Sequence, residues 1–141
     1  MPALAIAKAF IRAINRRDPK AIVALMSPHH RFIDSLGATV AGAEAMRAGW
    51  AGYFKLVPDY WIRAERFHVA GSTVLITGSA GGTLSEGGVL DPAKRWSVPA
   101  AWRARVQGKR VLEWQVYADN EPLRQLMRRR KGPSVKRDNG A

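Results

Sequence analysis

Hydrophobic residues in the first part of the chain recur every three or four positions, which is the period of a helix buried on one side. This pattern predicts two long helices, over residues 3–16 and 43–56. Asp18-Pro19 can cap and begin a short helix between them, and we expect that helix to end at Ser27-Pro28. Residues 29–37 alternate between apolar and polar, so they predict a short strand.

After Pro58 the period changes to two, which is typical of strands with one buried face. The alternation predicts four strands, over residues 60–70, 72–84, 95–106 and 110–119. The glycine-rich residues 81–94 are predicted to form a loop, and Pro99 indicates an edge or a bulge. Asn120 can cap a last short helix that stops before Gly132-Pro133.

The order of these elements favours an α+β fold. Long strands gather at the end of the chain instead of alternating with helices, so a parallel doubly wound sheet is not expected. We predict a curved, mixed and mostly antiparallel sheet, with three helices from the N-terminal half packed on its concave face. Tryptophans on the apolar faces of the last two strands would then line an apolar pocket beneath the helices.

The composition is that of one globular domain, which we place at residues 1–123. Hydrophobic residues make up 47% of the 141 residues, and the absence of cysteine fits a cytoplasmic protein without disulfides. No apolar run is long enough to cross a membrane. We interpret the apolar N-terminal residues as a helix and not as a signal peptide.

The net charge of +12 is compatible with a polyanionic partner such as nucleic acid. Residues 124–141, however, hold seven of the 23 basic residues and one of the 11 acidic ones, and so contribute half of this charge. We interpret this segment as the end of the last helix followed by a disordered, solvated tail. The other basic residues are scattered, so nucleic-acid binding is not predicted.

Asp34 is the residue whose position most needs an explanation. The alternation places its carboxylate on the same side of the strand as Phe32 and Leu36, and a carboxylate on an apolar face is costly unless it is paired or hydrogen-bonded. One interpretation is a general base or polar anchor in the pocket. The other is a structural carboxylate that accepts a turn amide near Gly37 or pairs with an arginine.

No cofactor is predicted from the residues. His29, His30 and His68 lack the three or four convergent ligands that a metal site needs. The glycine-rich segment lacks the Gly-Lys-Ser/Thr ending of a phosphate loop and is not followed by a helix. We expect it to be a hairpin loop that could act as a lid near the pocket mouth.

Residues 8–37, KAFIRAINRRDPKAIVALMSPHHRFIDSLG, resemble the N-terminal part of ketosteroid isomerase, in the nuclear transport factor 2-like superfamily. The later stretches GAEAMRAGWAGYF and VLEWQVYADNEP resemble the third helix and the closing strand of that family. The resemblance covers about residues 3–120 and implies the family's cone-like curved sheet. The superfamily also contains SnoaL-type polyketide cyclases and limonene-epoxide hydrolase, so the resemblance implies a fold more specifically than a reaction.

The resemblance implies that Asp34 stands where the isomerase has its general base. In that enzyme a tyrosine and a protonated aspartic acid hold the enolate oxygen. The tyrosine position here is Phe10, and the aspartic acid position is Trp102, or Ala101 if the hairpin is aligned one residue differently. A retained base without these donors does not predict steroid isomerisation itself.

The tryptophans among the remaining candidate site residues follow from the pattern of apolar positions, and a place in the plain core is the alternative for them. The predicted ligand pocket is lined by Phe10, Trp50, Tyr53, Trp102, Trp114 and Val116. Asp119 lies near the position of an acid in SnoaL-type cyclases, although capping of the following helix is the simpler explanation.

Three functional hypotheses follow. The first is an enzyme that binds a small hydrophobic carbonyl compound and uses Asp34 for proton transfer, as a cofactor-independent isomerase or cyclase. The second is a ligand-binding or scaffold protein without chemistry. The third is an epoxide hydrolase built on Asp34, Arg103 and Asp119, which requires Arg103 to leave the outer face of the sheet. We also expect a homodimer formed through the outer faces of the last two strands.

Overall fold

The computed structural model describes the backbone of residues 2–136 and the side chains of residues 2–129. Within this part of the chain there are four helices: α1 (Ala3–Asn15), α2 (Pro19–Ala24), α3 (Ala43–Leu56) and α4 (Glu121–Lys136). The same part contains six strands: β1 (Met26–Ile33), β2 (Thr39–Ala41), β3 (Trp61–Ala70), β4 (Thr73–Glu86), β5 (Val89–Gln107) and β6 (Arg110–Ala118). None of these helices is both long enough and apolar enough to span a membrane.

The six strands form one curved, unclosed sheet in the order β2-β1-β6-β5-β4-β3. Strands β1 and β6 are parallel, and every other neighbouring pair is antiparallel. The predicted α+β class and the mixed, mostly antiparallel sheet are confirmed. Strand β2 was not predicted, because three exposed residues are too few to show a period.

The concave face of the sheet carries the apolar side of each long strand. Strand β5 buries every second residue along this face, from Trp96 to Val106. Helix α1 covers one part of the face with fully buried residues such as Ala7, Phe10 and Ile14, and it contacts β3 to β6. Helix α3 contacts β1, β2 and β4, while α2 packs against α1 and α3. Helices α1 and α3 therefore touch the sheet directly and α2 joins them, while α4 contacts β4 and β5.

The start of α2 follows the prediction from the sequence. Oδ1 of Asp18 accepts a hydrogen bond from the Ala21 backbone N–H at 3.2 Å, and Pro19 occupies the first turn. The end of α2 comes earlier than expected, because the chain enters β1 at Met26. Ser27 and Pro28 therefore belong to the strand and do not terminate the helix.

The prediction of a loop over residues 81–94 is wrong. Strands β4 and β5 continue through this segment and are joined by Gly87 and Gly88, whose φ angles of +59° and +82° suit a two-residue hairpin turn. The other glycines mark close packing and not a break. A Cβ at Gly81 would overlap the Trp96 carbonyl oxygen, and one at Gly82 would overlap the Val57 side chain.

Pro99 lies where the sequence indicated an edge. Pairing between β5 and β6 begins at Ala100, so at Pro99 strand β5 is bonded to β4 alone. A residue without an N–H costs no ladder hydrogen bond on the open side of a strand.

The last helix is longer than predicted. Helix α4 passes through Gly132 and Pro133 to Lys136, although Pro133 has no N–H to donate within the helix. The expected stop before Gly132 is therefore wrong. The remainder of the predicted tail, residues 137–141, lies outside the described residues.

Candidate functional site

A cavity of about 390 Å³ lies between α3 and the concave face of the sheet. Its wall is mainly apolar, with seven aromatic residues: Phe32, Trp50, Tyr53, Tyr60, Trp96, Trp102 and Trp114. Several of their rings contact one another, as Trp102 and Trp114 do with 6.4 Å between ring centroids. A concave and largely aromatic cavity of this size can enclose a small organic molecule.

The structure brings six of the predicted site residues to this one cavity. They are Asp34, Trp50, Tyr53, Trp102, Trp114 and Val116. Trp50 and Tyr53 reach it from neighbouring turns of α3, and the others come from β5, β6 and the turn after β1. The buried faces that the helical and strand periods predict therefore line the same cavity.

Phe10 is a correction to the predicted lining. Its side chain is fully buried but does not border the cavity. The ring packs 4.8 Å from the Trp114 ring and 6.0 Å from the His30 ring, measured between centroids. The larger indole of Trp114 occupies the wall, and Phe10 supports it from behind.

Asp34 lines the cavity and also organises the turn that follows β1. Its Oδ1 accepts hydrogen bonds from the backbone N–H groups of Leu36 and Ala38, both at 2.9 Å. Its own N–H donates to the Ala38 carbonyl, and the Gly37 N–H donates to the Asp34 carbonyl. Oδ2 has no hydrogen bond to any residue that the structure describes. Both interpretations of Asp34 thus have a structural basis. Oδ1 has a structural role in the turn, and Oδ2 is left for a ligand in the cavity.

The prediction that Leu36 lies on the same strand face as Phe32 and Asp34 is wrong. The strand ends at Ile33, so the alternation does not continue, and Leu36 is 83% exposed.

Tyr60 is a site residue that the sequence analysis missed. Its ring meets the Tyr53 ring edge to face, with 5.0 Å between centroids and 84° between planes. Burial raises the pKa of both phenols, and the nearby Tyr53 raises that of Tyr60 further. Both hydroxyls are therefore protonated at neutral pH and can donate a hydrogen bond. The available signal was that Tyr60 shares a strand face with the buried Ile62.

Four tryptophans contribute ring surface to the cavity but no free polar atom. The indole nitrogens of Trp50, Trp96, Trp102 and Trp114 are enclosed by protein, without a hydrogen-bond partner among the described residues. The polar groups that remain for a ligand are the Asp34 carboxylate, the two tyrosine hydroxyls, and Ser35 with Asn120 at the rim.

Ser35 and Asn120 connect two chain segments at the edge of the cavity. The Asn120 Nδ2 donates to the Ser35 Oγ at 3.2 Å. The side chain of Asn120 was expected to cap α4, but Asp119 takes that place: its Oδ1 accepts the Glu121 N–H at 3.0 Å. The Asp119 side chain is 83% exposed, pairs with Arg124 and is not part of the cavity lining.

Arg103 lies on the convex face, opposite the cavity. Its guanidinium bonds the Glu113 carboxylate at 2.8 Å, and Arg31 and Arg105 approach the same carboxylate at 2.8 and 3.6 Å. Glu113 is 3% exposed, which the sequence did not reveal because Arg31 is distant along the chain. The structure does not bring together the Asp34, Arg103 and Asp119 set that epoxide hydrolysis would need.

Of the three histidines, His30 is buried, whereas His29 and His68 are exposed. His30 is fully buried, and its Nδ1–H donates to the Val111 carbonyl at 2.8 Å. Burial lowers its pKa, against the opposing influence of this hydrogen bond and of the Glu113 charge. Among the described side chains, no group of three or more potential ligands could hold a metal ion.

Comparison with known proteins agrees with the observed fold. Residues 7–114 match the family described as the SnoaL-like domain. A search of curated proteins gives no match.

Solved structures with the same fold come from several bacteria. A candidate SnoaL-like polyketide cyclase from Shewanella denitrificans is 14% identical, with a TM-score of 0.76 over 89% of this chain and 96% of that one. A nuclear transport factor 2-like protein from Burkholderia thailandensis is 20% identical, with a TM-score of 0.76 over 91% of this chain and 98% of that one. A protein with a ketosteroid isomerase-like fold from Catenulispora acidiphila is 23% identical, with a TM-score of 0.69 over 79% of this chain and 83% of that one. Its structure was solved in complex with trimethylamine. At these identities the likeness shows the fold alone.

Proposed function

The chain belongs to the SnoaL-like domain family, and from this premise we propose that it binds a small, largely apolar carbonyl compound in the aromatic cavity. We further propose that Asp34 transfers a proton on that compound, as in a cofactor-independent isomerase or cyclase. The observation that carries the proposal is one carboxylate in an otherwise uncharged lining. Of the described residues that border the cavity, Asp34 alone has a charged side chain.

The chemistry assigned to Asp34 needs only one of its oxygens. Oδ1 is held by two turn amides, which fixes the orientation of the carboxylate. Oδ2 can then accept a proton from a carbon next to the ligand carbonyl and return it to another position. Return at a different carbon gives an isomer. Alternatively, attack of the enolate carbon on a second carbonyl closes a ring, and Asp34 returns the proton to the alkoxide oxygen that forms.

The second candidate is a binding protein without chemistry. It is favoured by the turn itself, because the hydrogen bonds to Leu36 and Ala38 explain an aspartate at this position without any reaction. The trimethylamine complex of the Catenulispora protein supports small-molecule binding by a related fold, and it is equally compatible with both candidates.

Hydrogen–deuterium exchange tests the proposal before the natural substrate is known. The protein is incubated in D₂O with a panel of cyclic and aromatic ketones, and deuterium uptake beside the carbonyl is followed by mass spectrometry. A base in the cavity should accelerate uptake by about 10²-fold or more over buffer. Asp34→Asn should abolish the acceleration, because the amide retains the shape of the side chain and cannot act as a base.

Asp91→Asn is the matched control. Oδ1 of Asp91 also accepts a nearby backbone amide, from Ala93 at 3.0 Å, but this residue is exposed and outside the cavity. Its variant should exchange as the wild type does. Calorimetric binding without accelerated exchange would favour the binding protein, and absence of both binding and exchange across the panel would contradict both candidates.

A further inference from the structure

We propose that the hydroxyls of Tyr53 and Tyr60 form the donor site of the cavity and hold the oxygen of a neutral carbonyl group on the ligand. This inference rests on the proposed function, since it names the ligand group that the same cavity recognises.

The two phenols are held in place from several directions. The Tyr60 N–H donates to the Val57 carbonyl at 3.1 Å, and the Tyr60 carbonyl accepts from the Arg17 guanidinium at 2.9 Å. The Tyr53 ring meets the Trp50 ring edge to face, with 6.5 Å between ring centroids. The Trp96 and Tyr60 ring centroids are 6.4 Å apart. Donors whose rings are fixed by packing are preorganised for an incoming acceptor.

The residues that the structure describes leave both hydroxyls without a partner. Neither makes a hydrogen bond to a residue that the structure describes, and Tyr60 is only 8% exposed. Their oxygens also differ from the indole nitrogens, which are sealed within protein atoms. A hydroxyl that is accessible from the cavity and has no partner among the described residues can donate to an acceptor on a bound ligand.

The charges around the cavity restrict the acceptor to a neutral one. Asp34 is the only charged side chain among the described lining residues, so it disfavours a ligand carboxylate or phosphate. Burial keeps both phenols protonated, and each can donate one hydrogen bond. A ketone, aldehyde or ester oxygen satisfies both conditions.

Phe10 and Trp102 stand where ketosteroid isomerase has its two hydrogen-bond donors, but neither offers a donor to the cavity here. Phe10 has no hydroxyl and lies behind Trp114. The indole nitrogen of Trp102 is enclosed and does not open onto the cavity. The structure therefore assigns hydrogen bonding to Tyr53 on α3 and to Tyr60 immediately before β3.

Matched pairs of ketone and hydrocarbon test this assignment. Binding of 1-indanone and indane, 1-tetralone and tetralin, and fluorenone and fluorene is measured by calorimetry with the full chain. We expect the wild type to bind each ketone about fivefold or more tightly than its hydrocarbon, which corresponds to about one net hydrogen bond. Tyr60→Phe and Tyr53→Phe should reduce ketone affinity by a similar factor and leave hydrocarbon affinity unchanged.

The infrared carbonyl stretch of ¹³C-labelled 1-tetralone gives a readout that a purely structural role would not change. Hydrogen bonding should lower its frequency in the wild-type complex, and Tyr60→Phe should raise it toward the value in an apolar solvent. Tyr117→Phe is the matched control, because Tyr117 is half exposed on the convex face and should show no effect.

The outcomes separate the two proposals. Equal affinity of the wild type for ketone and hydrocarbon, with both bound, would overturn the donor site while the cavity remains a binding site. Failure of the wild type to bind any member of the three pairs would contradict the proposed function and the donor site together. A folded Tyr60→Phe variant, verified by circular dichroism, that keeps full ketone preference would overturn the role of Tyr60.

Discussion

The Phe10 ring packs against the Trp114 ring with 4.8 Å between centroids and 50° between planes, so one side of the cavity wall rests on α1. Phe10 is fully buried, as is Trp114. A residue that supports the wall affects the cavity through packing and not through contact with a ligand.

We predict that Phe10→Ala lowers the free energy of unfolding by about 3–5 kcal/mol, because it removes a fully buried ring and leaves a void behind Trp114. Urea denaturation measures the loss. Phe32→Ala is the control, since Phe32 already borders open space and is only partly buried. An equal loss for the two variants would contradict the distinction between wall and support.

The turn after β1 gives a second prediction. Asp34→Ala removes the acceptor of the Leu36 and Ala38 amides and should lower stability by about 1–3 kcal/mol. Asp34→Asn keeps an accepting oxygen at the same place and should lose clearly less. Thermal melts at pH 7 compare them. Wild-type stability of Asp34→Ala would mean that the turn does not depend on this carboxylate.

Stability should fall in mild acid because of His30. Its pKa is lowered by burial in the folded protein, so the unfolded chain binds a proton first as the pH falls below about 6.5. The free energy of unfolding should therefore be constant near pH 7–8 and decrease below pH 6.5, with a limiting slope of about 1.4 kcal/mol per pH unit. Urea melts between pH 5 and 8 measure this dependence.

The matched pair for this test is His30→Gln and His68→Gln. The first removes the buried imidazole and should flatten the profile between pH 5 and 6.5, whereas His68 is exposed and its variant should retain the wild-type slope. A profile unchanged in His30→Gln would assign the acid sensitivity to other groups.

The outer faces of β5 and β6 lead to a prediction about assembly. They present Tyr117, Gln115 and Ala101 beside the arginines around Glu113, and we expect a homodimer through this surface. Light scattering at micromolar concentration should give twice the monomer mass. Tyr117→Glu should shift the mass toward the monomer, and Leu90→Glu, at an exposed position in the distant hairpin, should not. A monomeric wild type would exclude this dimer.

Much of the fold follows from local periodicity. The helix over α1, the Asp18 cap and the apolar faces of β5 and β6 could be predicted because each depends on neighbouring residues. The β4–β5 hairpin could not, because glycine serves both turns and tightly packed strands. Its role at Gly82 depends on the Val57 side chain, which reaches it only in the folded protein.

The site was less predictable for a related reason. Periodicity indicates which side of an element is buried, but not how deep each residue lies, so Phe10 and Trp114 could not be distinguished. Tyr60 follows Pro58 and Asp59, where the helical period has ended and the strand period has barely begun. Burial of Glu113 depends on Arg31, which the parallel pairing of β1 with β6 brings beside it.

That parallel pairing has a consequence for how the protein could be altered. Because β1 and β6 run in the same direction, the segments that follow them, residues 34–38 and 119–120, emerge side by side at the cavity edge. Side chains at Leu36, Ala38 and Asp119 could be varied without removing the Asp34 carboxylate or the tryptophan wall. Such a library would alter the cavity edge on an intact scaffold, with the retained Ser35–Asn120 contact as the junction between its two halves.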